Sequence, residues 1–258
     1  MVLAYKGIEI FYSDEGSGES VVFLHGFMEN ISMWESLLPS IRKQRRVICI
    51  DLLGHGKTGN LGYIHTMEMM ADAVLAVLDY LSIKRSIFIG HSMGGYVALA
   101  LAAKKPHRIS KLVLMNSTWK DDNLERKMNR DRSVEAVRKS HRVFVNLSIP
   151  SLFADKNRTL LKKELAKIKK EALKISLQGI IAALEGMKIR PDYTKIAKRL
   201  AVDKYLILGK EDILIDERQL ISQAGELGFS SLLLDGGHMS YIENRTEVLL
   251  LLAKIVHN

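Results

Sequence analysis

The chain has one cysteine, Cys49, in 258 residues, so no disulfide can close within it and an oxidising compartment is not required. No stretch approaches the roughly 18 uninterrupted apolar residues that a membrane-spanning helix needs. The opening MVLAYKGIEIFYSDEG lacks an apolar run of signal-peptide length and turns polar by Asp14. There is no internal repeat and no low-complexity tract. Asp51 and His55 share a loop, but no His-x-x-x-His pair or cysteine cluster joins them, so no metal is expected. These absences lead to the expectation of a globular, cytoplasmic protein with no membrane partner. The rest is ordinary: 47% hydrophobic and 26% charged residues, with length for one large domain or two small ones.

Charge is unevenly spread. The net +9 invites a nucleic-acid reading, but the excess is local: Thr118–Leu200 holds 21 Lys and Arg against 10 Asp and Glu, whereas the remainder holds 17 against 19. In LLKKELAKIKKEALKI the bases alternate with apolar residues at helical spacing, the pattern of an amphipathic helix with a solvated face. No nucleic-acid partner is therefore expected; steering of anionic substrates and contact with an acidic surface are the alternatives for the basic face.

The order of elements follows from periodicity. Residues 2–5 and 8–13 read as a hairpin around Lys6-Gly7. Short apolar runs of the buried-strand kind follow at VVFL (21–24), VICI (47–50), SIFI (86–89), KLVLM (111–115), KYLIL (204–208) and SLLLD (231–235). Helical stretches are predicted near 33–43, 66–81, 93–104, 216–227 and 243–256. Strand and helix in alternation give a mostly parallel sheet covered on both faces, an α/β fold. From 118 to 198 only helical periodicity remains, and this is the basic segment. It reads as about four helices forming a lid over the carboxyl ends of the strands, with 1–117 and 199–258 as the core.

Three glycine-rich motifs compete for the chemistry. Gly54-His55-Gly56-Lys57-Thr58-Gly59 spells G-x-G-x-x-G, but no helix opens on it until near Thr66, so its N–H groups cannot present a helix N-terminus to a phosphate. A P-loop reading of the same residues fails because Asp51 stands where the first glycine is needed. Gly90-His91-Ser92-Met93-Gly94 is G-x-S-x-G, and it joins the strand SIFI directly to the helical MGGYVALALAAKK. That is the strand–turn–helix setting of a nucleophile elbow. The sharp turn exposes the Ser92 Oγ, flanking glycines admit close chain passage, and the helix N-terminus aims the Met93 N–H at a developing oxyanion. His25-Gly26-Phe27 follows the strand VVFL, and its loop is expected beside the elbow, where the Phe27 N–H can supply a second donor.

Taken together, LHGF (24–27), DLLGHGKT (51–58), GHSMGG (90–95), LGKED (208–212) and DGGHMSYIE (235–243) resemble the α/β-hydrolase superfamily. The likeness is to its small serine esterases and to relatives acting on enol-lactones and cyclohexadiene carboxylates. It implies an eight-stranded mostly parallel sheet, an inserted helical cap, a Ser–Asp–His triad and no cofactor. In this fold the nucleophile precedes the acid and the acid precedes the histidine. Of eight histidines only His238 lies in a glycine-rich loop directly after the last strand. The family's Gly-x-x-Asp pattern carries Gly209 to Asp212, with Glu211 as the rival acid, while Asp216 reads as a helix N-cap. Serine at the elbow argues against the dehalogenases and epoxide hydrolases of this fold, which use aspartate there.

The expected activity is carboxylic-ester hydrolysis through an acyl-enzyme on Ser92, with His238 as base and Asp212 behind it. The same triad used for carbon–carbon cleavage or elimination, and a non-catalytic receptor on this fold, are the alternatives. Val134, Val137, Val145, Leu152, Phe153, Leu177, Ile180, Ile181 and Leu184 recur as one apolar stripe per lid helix. They predict an apolar pocket above Ser92 for a small uncharged acyl or aryl ester, with the basic residues confined to the outer face. The oligomeric state is not encoded in any feature of the sequence.

Overall fold

In a computed structural model of the chain, residues 1–257 are described. Eight strands form one sheet: β1 (Val2–Tyr5), β2 (Ile8–Glu15), β3 (Ser20–Leu24), β4 (Arg46–Ile50), β5 (Ser86–His91), β6 (Ile109–Met115), β7 (Asp203–Gly209) and β8 (Phe229–Leu234). Their spatial order is β1-β2-β4-β3-β5-β6-β7-β8, with β1–β2 and β2–β4 antiparallel and every other pairing parallel. The first hairpin turns on two residues: Tyr5 pairs with Ile8, and Lys6 (φ 47°) and Gly7 (φ 83°) both sit at positive φ. Such a turn matches the right-handed twist of the strands it joins. Strands β3 and β5 are buried along their whole length, which is why they read as unbroken apolar runs rather than alternating ones.

The helices are α1 (Leu38–Ile41), α2 (Met67–Tyr80), α3 (Met93–Lys104), α4 (Leu124–Lys139), α5 (His141–Ser151), α6 (Asp155–Arg158), α7 (Lys162–Ala172), α8 (Leu177–Lys188), α9 (Thr194–Arg199), α10 (Glu217–Ala224), α11 (Ser240–Glu243) and α12 (Arg245–His257). None is long and apolar enough to cross a membrane. Two sequence expectations need correction. The stretch 33–43 is not one helix but a 3-10 turn at Ile31–Trp34 and the single turn α1, because Pro39 has no N–H to continue a helix and instead starts one. Between 118 and 198 there are six helical segments rather than four. Asn123, Ser140 and Ser176 each cap a new helix through the side chain, and the last segment, α9, packs back on α3. Helices α4 and α8 pack on each other, as do α4 and α5, and α5 and α7.

Candidate active site

The carboxyl ends of β3, β5, β6, β7 and β8 bring five loops to one place. At the end of β5 the chain reverses into α3 through Ser92, held at φ 48° and ψ −115°. Few non-glycine residues adopt this conformation, and it persists only where the surroundings enforce it. Here the Ser92 N–H donates to the Met115 carbonyl (2.9 Å), while its own carbonyl accepts from the Gly95 N–H (3.0 Å) and the Ser117 hydroxyl (2.8 Å). A Cβ on Gly90 would stand 2.5 Å from the Gly95 nitrogen, and one on Gly94 would run into the Leu24 carbonyl. Both flanking positions therefore exclude any side chain.

The Ser92 Oγ lies 2.9 Å from His238 Nε2, and His238 Nδ1 lies 2.8 Å from Asp212 Oδ2. All three residues are buried, with Ser92 the most open at 9% exposure. Asp212 Oδ1 accepts the Leu214 N–H (2.9 Å) and Oδ2 also accepts Asn116 Nδ2 (3.0 Å). Burial alone would raise the Asp212 carboxyl, but the His238 imidazole and these hydrogen bonds outweigh it and hold the group below its ordinary range. The rival Glu211 points elsewhere: it is exposed and pairs with Lys156 at 2.8 Å. Asp216 caps α10 by accepting the Gln219 N–H, as its spacing suggested.

Two main-chain donors next to Ser92 are free. Among the described residues the Phe27 N–H has no acceptor, and that of Met93, the first residue of α3, has no partner within its helix. The neighbouring Gly26 N–H, by contrast, is taken by Glu29 Oε2 at 2.6 Å. Among the described residues no three His, Cys, Asp or Glu side chains group as metal ligands would. The glycine-rich 54–59 segment is a turn built on Asp51, whose carboxylate accepts the Ile31 and Lys57 N–H groups (both 2.8 Å).

Several residues that hold the site together escaped the sequence reading. Glu29 is a buried hub: besides Gly26 it accepts from His91 Nδ1 (2.9 Å) and the Tyr241 hydroxyl (3.0 Å). His91 then reaches the His238 carbonyl with Nε2 at 3.0 Å, so one carboxylate ties together the β3 loop, the elbow and the histidine loop. Asn116, at φ 45°, braces Asp212 and the Gly237 carbonyl and accepts the Ser240 hydroxyl. Only His91 carried a local signal, standing inside the G-x-S-x-G motif.

Above Ser92 lies a cavity of about 380 Å³. Phe27, Phe144, Leu152, Leu184 and Met187 give it apolar walls, with the Ser92 and His238 side chains in its lining. The expectation of a wholly apolar pocket with bases outside is overturned, because Arg126 and Arg130 of α4 also line it. Both turn inward to Asp122, a carboxylate with no exposure, which is where an arginine placed over a cavity finds its counter-charge. Leu177 departs from the predicted stripe too: as the first residue of α8 it is 45% exposed.

A model of the α/β hydrolase fold family matches residues 19–245. The chain belongs to this family. It is 33% identical over 176 residues to a 2-hydroxy-6-oxo-2,4-heptadienoate hydrolase of Pseudomonas putida, a match covering 65% of this chain and 60% of that protein. A non-heme haloperoxidase of Rhodococcus erythropolis is 37% identical over 118 residues, 45% of this chain and 43% of its own. The chain thus aligns with less than two thirds of the length of these curated relatives. Among solved structures, a thermophilic esterase from Thermogutta terrifontis with malate bound superposes with a TM-score of 0.91 at 29% identity, covering 100% of this chain and 97% of that one. An enol-lactonase from Burkholderia xenovorans superposes at 0.92 over 100% of both chains with 24% identity, which speaks to the fold alone.

Proposed function

We propose that this α/β hydrolase cleaves carboxylic esters through an acyl-enzyme on Ser92, beneath a cap formed by residues 118–198. The observation that carries the reading is the line from Ser92 Oγ to His238 Nε2 (2.9 Å) and from His238 Nδ1 to Asp212 Oδ2 (2.8 Å) at the floor of a cavity. Ser92 Oγ attacks the ester carbonyl carbon as its proton passes to His238 Nε2. Asp212, kept ionised, accepts a hydrogen bond from the Nδ1–H without taking the proton, fixing the tautomer and stabilising the imidazolium. The carbonyl oxygen takes up the negative charge against the Phe27 and Met93 N–H groups, each worth about 3 kcal/mol if lost. Collapse of the tetrahedral adduct expels the alkoxide, which takes the proton from His238. Water, deprotonated by the same imidazole, then releases the acid and restores Ser92. The small-esterase reading also draws on the full-length likeness to the Thermogutta terrifontis esterase.

A second reading, Ser92 chemistry directed at a carbon–carbon bond, draws on the 33% identity to the heptadienoate hydrolase. Labelling by a fluorophosphonate separates the serine mechanism from none. A single labelled residue, absent from Ser92→Ala, is expected, together with turnover of short p-nitrophenyl esters. Labelling that survives Ser92→Ala, or folded protein that neither labels nor turns over any ester, refutes the serine hydrolase reading.

A further inference from the structure

The cavity over Ser92 has two unlike sides. One is apolar; the other is a face of α4 carrying Arg126, Asn129, Arg130 and Ser133. Their i, i+3, i+4, i+7 spacing sets them on one side of the helix, so α4 turns a polar stripe inward, towards the space where substrate must sit. A helix with this sequence could place that stripe in water at no cost. What holds it in is Asp122, fully buried: its Oδ1 takes Arg126 Nε at 3.0 Å and Arg190 Nη2 at 2.9 Å, and its Oδ2 takes Arg130 Nε at 3.0 Å.

One carboxylate thus faces three guanidiniums, an excess of two positive charges. Burial alone would raise the Asp122 carboxyl, but Arg130 and Arg190 more than offset this and keep it below the ordinary range, so it remains the anion among them. The other acids on the cavity wall do not cancel the excess. Glu29 is committed to Gly26, His91 and Tyr241, and Glu125, an exposed side chain, removes one charge at most. The three arginines are also unequally employed. Arg190 is wholly buried, donates to the Met187 and Lys120 carbonyls (2.8 and 3.1 Å) and lies 4.1 Å over the Tyr96 ring. Arg126 donates Nη1 to the Leu214 carbonyl at 2.7 Å. Arg130 bonds only through Nε; among the described residues its two terminal nitrogens have no acceptor, and the side chain is just 18% exposed. A planar fork of unpaired donors, tethered from behind and set in a partly desolvated cavity, suits the two oxygens of a carboxylate.

We infer that Arg130, with Arg126 beside it, forms a carboxylate subsite, and that the substrate cleaved at Ser92 carries a free carboxylate at its far end. The inference rests on the serine hydrolase reading and adds the substrate class: small half-esters, lactones or similar acyl compounds with one anionic terminus. A residual charge of one to two matches one carboxylate. The reaction at the ester is unchanged, since the second carboxylate neither gains nor loses a bond.

Length-matched pairs of esters test it, with the charge placed on either side of the scissile bond. Monoethyl adipate is compared with ethyl heptanoate, and 4-acetoxybutyrate with pentyl acetate, as kcat/KM ratios in wild type, Arg130→Gln and Arg126→Gln. In at least one pair the anionic ester is expected to be favoured about tenfold or more, the scale of a charge-assisted hydrogen bond. That ratio should fall about tenfold in Arg130→Gln, less in Arg126→Gln, and in wild type it should erode between about 20 mM and about 0.5 M salt. Adipate binding to Ser92→Ala, read by calorimetry, is independent of turnover and should weaken at least about tenfold when Arg130→Gln is added. Equal rates within both pairs in wild type, or a preference untouched in Arg130→Gln, overturns the inference, as does absence of adipate binding. If neutral esters are cleaved and Ser92 is labelled while these results appear, the subsite alone is wrong. If nothing labels or reacts, the serine mechanism is wrong as well.

Discussion

The strand-end loops that hold Ser92 and the helical segment between 118 and 198 are built by different means. In the loops, position is enforced by backbone: positive φ at Ser92 and Asn116, glycines that admit no Cβ, and main-chain hydrogen bonds between neighbouring strands. In the helical segment position is enforced by charge, with Asp122 gathering three arginines from α4 and from the end of α8 into one cluster. Backbone constraints leave marks in sequence because they require particular residue types at fixed offsets. Charge clusters leave weaker marks, because any exposed helix face also carries Lys and Arg.

The largest effect expected from breaking this contrast lies on the backbone-built side. Asp212→Asn should lower kcat by about 10⁴-fold, the scale seen when the carboxylate behind a catalytic histidine becomes an amide in serine proteases. Glu211→Gln, one position away but paired with Lys156 on the surface, should change it little. Steady-state rates on one ester decide the matter, and similar losses in both variants would show that Asp212 acts only through folding.

On the charge-built side the expected loss is of stability. Asp122→Asn keeps the volume and removes the counter-charge of Arg190, which has no exposure. Removing one partner of a buried ion pair costs about 3–5 kcal/mol, because the other charge is left uncompensated. Denaturant midpoints measure it. A loss below about 1 kcal/mol would mean that the cluster relaxes into solvent and that Arg126 and Arg130 are not fixed by Asp122.

How far the sequence could be read follows the same division. The strands, the elbow and the loops bearing Asp212 and His238 were legible, since apolar runs and glycines mark them locally. Glu29 and Asn116 were not, because their partners His91, Tyr241 and Asp212 lie 62, 212 and 96 positions away, and an isolated Glu or Asn carries no sign of that. The inward-facing arginines of α4 were hidden for another reason. Bases interleaved with apolar residues ordinarily face water, and what draws Arg126 and Arg130 inward is Asp122, which lies just ahead of α4 and its cap Asn123. Periodicity reports that a face is distinct; it does not report whether a buried counter-charge waits for it.

The smallest expected effect sharpens the comparison, since it concerns a buried charge pair set among the backbone-built loops. His91 faces two acceptors, the Glu29 carboxylate at Nδ1 and the His238 carbonyl at Nε2. A neutral imidazole has one N–H and could satisfy only one of them, so the geometry calls for the imidazolium. Burial among Tyr241 and His238 would depress its pKa, but Glu29, helped by the more distant Asp212, raises it above the ordinary 6.5. Glu29 is depressed below its ordinary 4.5, burial being outweighed by His91 and the Gly26 N–H. A raised base contributes stability that is complete below its unfolded value and is lost as pH rises through the folded one; a depressed acid contributes above its unfolded value and loses it as pH falls. The pair is therefore fully effective between the two ordinary values and fades on the alkaline side as His91 deprotonates. His55, pushed down to about 3, His65, pushed down to about 4, and His25, also lowered, act oppositely: each prefers to be neutral when buried and erodes stability below 6.5. The total stability curve thus mixes both signs, and the difference between wild type and His91→Gln isolates the pair. That difference in Tm should be greatest near pH 5 to 6 and shrink towards about pH 9, by a few degrees, the scale of about 1 kcal/mol in a chain this long. A difference that stays flat across the range would show that His91 keeps one protonation state throughout and that its titration contributes nothing to the pH dependence of stability.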